Sequence, residues 1–159
     1  MFTFLYICKE PNKQKIMKAY EISVKYHTKN KSNKKITSSN DSYKTLKGWF
    51  KDCMEHRERF VVVYLSRANN VLGIQNIGEG GLASCVVDKR MIAQGAILSN
   101  SNAVILAHNH PSGNLNPSYS DKKITKDIKE GLSLFDIQTL DHLIISTDGY
   151  YSFADEGVL

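Results

Sequence analysis

Apolar positions along this chain recur with two periods, one close to that of a helix and one that of a strand, and the alternation between them sets out the elements. Tyr43, Leu46, Trp49, Phe50 and Cys53 fall at helical spacing behind the capping-type residues Ser39, Asn40, Asp41 and Ser42, which predicts an amphipathic helix running to about Met54. Phe60–Leu65 is β-branched and aromatic, and Asn69 and Asn70 separate it from Val71–Ile77, so the two runs read as a hairpin that Gly78, Gly80 and Gly81 should end. A short strand over Ala83–Val87 is expected next, and Asp88 then opens a helix with Met91, Ile92, Ala96 and Ile97 on one face. Ala103–Ala107 reads as a buried strand. Beyond the loop Pro111–Pro117, the spacing of Ile124, Ile128, Leu132 and Phe135 predicts a second long helix, weakened near its end by Gly131. Strands are expected at Ile137–Leu140 and Leu143–Ile145, then a turn at Thr147–Gly149 and a last strand at Tyr150–Phe153. Strands interleaved with helices define an α/β domain with a mixed sheet.

Length and composition narrow this picture. A chain of 159 residues suffices for one domain with a sizeable core and is short for two. Apolar residues at 42% and charged residues at 23% match a packed soluble protein. The apolar run Met1–Cys8 is too short for a membrane span and has no basic segment before it, so neither export nor membrane insertion is expected. The odd set Cys8, Cys53 and Cys85, with no C-x-x-C pair, argues against disulfides and a thiolate zinc cage, and a cytoplasmic location follows as the expectation.

Charge is distributed unevenly. Residues 1–59 hold 14 Lys+Arg against 6 Asp+Glu, a net +8, whereas residues 60–159 hold 7 against 10, a net −3. Much of the basic excess lies in the polar stretch Lys25–Lys35. The expected organisation is therefore an N-terminal extension and basic flexible arm over residues 1–38, with residues 1–16 ahead of Met17 as an upstream-start extension, followed by one domain over 39–159. The arm reads first as solvated and second as a surface for nucleic-acid phosphates.

The residues that can carry chemistry lie between His108 and Asp121. On an extended backbone His108 and His110 project from one face with Cα atoms roughly 7 Å apart, so two imidazoles can converge on one ion. Asp121 follows across a Pro- and Gly-containing loop near the first turn of the next helix, where its carboxylate can swing back toward them. Two histidines and one carboxylate leave one corner of a tetrahedral zinc site for water, the ligand count of a catalytic site. H-x-H alone is a weak motif, and Ser118 with Asp121 also reads as a capping box, which is compatible with ligation.

The whole string is more specific than its parts. H-x-H at 108–110, then P-S-G at 111–113, then Pro117, Ser118 and Asp121 resembles the JAMM (MPN/JAB) zinc metalloproteases in the form carried by bacterial RadC-type proteins. The likeness runs from about Tyr43 to the end and takes in ILSNSNAVILA (97–107), LDHLII (140–145) and YYSFADEG (150–157). It implies a single domain of JAB/MPN, cytidine-deaminase-like architecture, zinc held by His108, His110 and Asp121, and Ser118 supporting the reacting carbonyl. It also implies a general-base glutamate from an earlier strand, matched by Glu58; without the resemblance, Glu55 and Glu79 are equal candidates. His142 reads as a satisfied core histidine rather than a ligand, His27 and His56 match nothing, and Asn109 points away from the two histidines and holds the loop.

The resemblance implies a zinc-dependent hydrolase of peptide or isopeptide bonds with a protein or peptide substrate. Full-length RadC-type chains resemble a DNA-binding-type helical domain fused to the zinc domain, and this chain reads as the stand-alone catalytic form. Two other classes remain open: a metal-free interaction module, and a DNA-associated factor that uses the basic arm. No H-E-x-x-H, P-C-x-x-C or G-x-x-x-x-G-K-[ST] motif offers another chemistry.

Overall fold

Seven consecutive buried residues, Arg59–Leu65, form the strand on which the domain is built (β1), and only a sheet covered on both faces can bury such a run. The computed structural model describes residues 34–80 and 86–159. Around β1 lie α1 (Ser39–Leu46), a 3-10 turn (Lys47–Phe50), β2 (Val71–Glu79), α2 (Lys89–Leu98), β3 (Ala103–Asn109), α3 (Tyr119–Ser133), β4 (Gln138–Ile145) and β5 (Tyr150–Ser152). The strands form one sheet in the order β2-β1-β3-β4-β5. All neighbours are antiparallel except β3 and β4, which run parallel and are joined through α3. The expected mixed α/β architecture is therefore the observed one, and it is the JAB/MPN fold.

Alternation along the strands splits the core in two. Val61, Val63, Leu65, Ala103, Ile105, Ala107, Leu143 and Ile145 face Leu46, Phe50 and Cys53 on one side. Phe60, Val62, Tyr64, Val104 and Leu106 face Ile92 and Ala96 of α2 and Ile128 and Leu132 of α3 on the other. This parity decides where the histidines go. His108 continues the row Val104, Leu106 toward α3, whereas Asn109 continues the row Ile105, Ala107 toward the α1 side. Two residues ahead of Ser39 meet the sheet and its core: Lys35 bridges to Asn70, and Ile36 is buried in the α1-side core.

Four elements differ from their sequence expectation for identifiable reasons. The α1 helix ends at Leu46 instead of Met54, because Gly48 favours helix poorly and the carbonyls beyond it are captured from outside. Arg59 binds Trp49 O, and the Asn109 side chain binds Cys53 O, Met54 O and Arg57 O. β2 runs through Gly78 to Glu79, held by pairing with Phe60 and Arg59. The two strands expected around Asp141 and His142 are one strand with a register shift at Leu140, because both polar side chains find buried partners. α3 starts at Tyr119 and stops at Ser133, leaving Phe135 outside it. Most of the strand expected at Ala83–Val87 lies outside the described residues, and Val86 and Val87 are not in a strand. Cys8, Cys85, His27 and nearly all of the basic arm also lie outside them; Cys53 is a buried free thiol. Among the described residues no helix is long and apolar enough to cross a membrane.

Candidate metal centre

The C-terminal end of β3 carries His108 and, one residue beyond the strand, His110, whose backbone N–H is tied to Ile145 O at 3.2 Å. Their Nε2 atoms lie 2.9 Å apart. Asp121 closes the group from the first turn of α3, with Oδ1 3.3 Å from His108 Nε2 and Oδ2 3.5 Å from His110 Nε2. One ligand atom from each of the three lies within 4.8 Å of the others.

Local chain geometry brings each group there. Ser118 Oγ accepts from Asp121 N at 3.1 Å, and Asp121 Oδ2 accepts from Ser118 N at 2.7 Å, so the expected capping box forms and orients the carboxylate. Gly113, at φ 77°, turns the loop after His110 and donates to His110 O. That turn returns Asn114 O to within 2.5 Å of His110 Nδ1. A carbonyl can only accept, so His110 carries a proton on Nδ1.

The electrostatics match a cation site. Burial pushes the Asp121 carboxyl up, but the His108 and His110 imidazoles beside it outweigh that and hold the group well below the usual carboxylate range. The Asp121 carboxylate is likewise the main cause that raises His110, with smaller help from Asn114 O and from the charge of Glu58. Two imidazole nitrogens and one carboxylate oxygen form a donor set that fits zinc and leaves one tetrahedral position for water. His108, His110 and Asp121 can therefore hold a metal ion.

Glu58 immediately precedes β1 and is half-buried. Glu58 lies two residues before Phe60, which pairs with His108, and its charge reaches His110. The other two glutamates are placed elsewhere. Glu79 is engaged by Arg59 at 2.7 Å and by Asn76, and Glu55 lines a surface groove with Lys47, Lys51 and His56.

Asn109 is fully buried on the opposite face. Its Oδ1 accepts from Arg59 N at 2.8 Å and its Nδ2 donates to Arg57 O at 2.8 Å, gripping the backbone on both sides of Glu58. Gly80 N adds a third tie to Glu58 O at 2.9 Å. His142 is a satisfied core histidine, as expected, but one of its partners is His108, with Nε2 2.8 Å from His108 Nδ1. Thr125, which touches both His142 and the Asp121 carbonyl, was not legible as part of this region. Its position four residues after Asp121, on the same helix face, was the available signal.

A five-stranded mixed sheet between helices, with an H-x-H pair at a strand end and an aspartate on the next helix, defines a JAB-type domain. The chain belongs to the RadC-like JAB domain family, whose model matches residues 36–158. It is 42% identical over 125 residues to a UPF0758 protein of Flavobacterium johnsoniae, covering 79% of this chain and 54% of the relative. It is 33% identical over 150 residues to a UPF0758 protein of Chlorobium chlorochromatii, covering 94% and 67%. With the UPF0758 protein YfjY of Escherichia coli it shares 39% identity over 120 residues, covering 74% and 75%. The chain thus spans about half the length of the Flavobacterium relative.

Proposed function

We propose that this domain is a zinc-dependent hydrolase that cleaves a peptide or isopeptide bond, with Glu58 as general base. The observation that carries the reading is the convergence of His108 Nε2, His110 Nε2 and an Asp121 oxygen within a few ångströms of one another. His108, His110 and Asp121 would hold the ion. Zinc there would bring the pKa of water down toward neutrality and polarise a carbonyl.

The chain's own groups supply the rest. Glu58 takes the proton of the attacking water and returns it to the leaving nitrogen, so that the amine departs neutral. Ser118 Oγ already accepts from Asp121 N, which leaves its hydroxyl proton free to donate to the oxygen that gains charge on the carbonyl. Asn109 keeps the Glu58 backbone in register with the H-x-H strand from the far side of the sheet.

Two measurements test the proposal. Purified wild type should hold about one zinc per chain, and His108→Ala should lose it. Wild type and Glu58→Gln should then be compared on peptide and isopeptide libraries. Zinc-dependent cleavage that drops by about 10²- to 10⁴-fold in Glu58→Gln, with zinc content unchanged, is the expected result. Undiminished cleavage in that variant removes Glu58 from the role, and a zinc-free wild type removes the hydrolase reading altogether.

A further inference from the structure

Behind His108 lies a chain of hydrogen bonds in which every proton can be assigned by elimination. Thr125 Oγ1 is 2.5 Å from the backbone carbonyl of Asp121, and that oxygen can only accept, so the single hydroxyl proton of Thr125 is spent there. Thr125 Oγ1 also lies 2.6 Å from His142 Nδ1. With no proton left to offer, it must accept, and His142 therefore carries its proton on Nδ1. His142 then presents a bare Nε2 to His108 Nδ1, 2.8 Å away, which must be the donor. For the neutral imidazole, the remaining lone pair of His108 is on Nε2, the atom that faces His110 and Asp121.

We propose that His142 and Thr125 are positioning residues that lock His108 in the tautomer whose Nε2 lone pair points into the metal centre. The inference rests on the reading of that centre as a zinc site. It stands on geometry as well as on proton counting. His142 has no exposed surface; its ring stacks on Phe153 with centroids 4.8 Å apart and meets Phe60 edge-on at 5.5 Å, so the imidazole is clamped as well as bonded. The relay begins on the carbonyl of Asp121 and ends on His108, and therefore joins two of the three residues of the candidate metal centre through β4, independently of the ion. Partners of this kind fix ring orientation and raise ligand basicity, and losing them typically costs about 10- to 100-fold in metal affinity.

A histidine that merely fills the core would lower stability on mutation without changing zinc affinity in the protein that remains folded. Zinc affinity by competition with a chromogenic chelator separates the two roles, with fold and melting temperature of the metal-free variants followed in parallel. His142→Phe keeps an aromatic ring and removes the acceptor, and should weaken zinc about 10- to 100-fold. His142→Gln, whose amide oxygen can accept from His108 Nδ1, should recover part of the loss. Thr125→Val touches neither His108 nor His110 yet frees the His142 tautomer, so it too should weaken zinc, and it decides the question if His142→Phe does not fold.

Imidazole ¹⁵N correlations in the metal-free protein give a second readout. They should show a proton on His108 Nδ1 and none on His142 Nε2, and that pattern should break down in Thr125→Val. Zinc affinity equal to wild type in folded Thr125→Val and His142→Phe overturns the relay alone, as does a bare His108 Nδ1. A wild type that binds no zinc overturns the hydrolase reading and this inference together.

Discussion

Asn109 shows how one buried amide can serve two parts of the molecule. Its Oδ1 takes Arg59 N, and its Nδ2 is shared among Arg57 O, Met54 O and Cys53 O, so the segment between α1 and β1 is fastened to the H-x-H strand. Asn109→Ala should leave several of these buried groups unpaired and cost about 2–4 kcal/mol of unfolding free energy, since each orphaned group costs about 1–3 kcal/mol. Denaturant unfolding would measure it; a loss under about 0.5 kcal/mol would mean the segment is held by other means. Asp141 tests a different balance. Burial raises its pKa against hydrogen bonds from Ser152 Oγ, Ala154 N and His142 N that lower it. A carboxyl with a raised folded pKa contributes stability that is fully present below its ordinary pKa of about 3.9 and is lost as pH rises through the folded value. The stability deficit of Asp141→Asn relative to wild type should therefore be largest in acid and shrink toward neutral pH; a deficit that grows with pH would show that the three donors outweigh burial.

At the scale of elements, the close approach of α2 to the sheet makes a sharp prediction. A Cβ added at Gly95 would stand 2.2 Å from Tyr64 Oη, 2.5 Å from Tyr64 Cζ and 2.6 Å from Gln75 Oε1. Tyr64 is buried and its hydroxyl is committed to Gln75 at 2.7 Å, so it has little room to retreat. Although alanine favours helix by about 1 kcal/mol over glycine, Gly95→Ala should destabilise by about 1–3 kcal/mol through overpacking. Thermal unfolding should show partial recovery in Gly95→Ala with Tyr64→Leu, and a stabilised single variant would refute the contact. The same elements explain what was readable beforehand. The periodicities of α2, α3, β1 and β3 stood out because their apolar faces pack on the sheet and little else acts on them. The end of α1 and the continuity of β4 were hidden, because distant groups decide them: Asn109 and Arg59 take carbonyls near the one, while Ser152 and Ala154 satisfy a polar step in the other. His108, His110, Ser118 and Asp121 could be picked out because they sit within fourteen residues of chain. His142 and Thr125 reach the same region only through the β3–β4 pairing and the turn of α3, which local spacing does not report.

For the whole molecule, the candidate metal centre sits where separate parts of the fold meet: the end of β3 and the start of α3. An ion held there would link elements that otherwise touch mainly through the core, and would bind the folded chain far better than the unfolded one. Linkage then gives about 2.7 kcal/mol of added stability when free zinc exceeds its dissociation constant about 100-fold. In a domain of this size each kcal/mol moves the melting temperature by a few degrees, so chelation should lower it by about 5–15 °C. His108→Ala provides the control, because it should melt at the same temperature with and without chelator while the rest of the chain stays intact. A wild type indifferent to chelator, despite a measured equivalent of zinc, would place the ion somewhere other than between His108, His110 and Asp121.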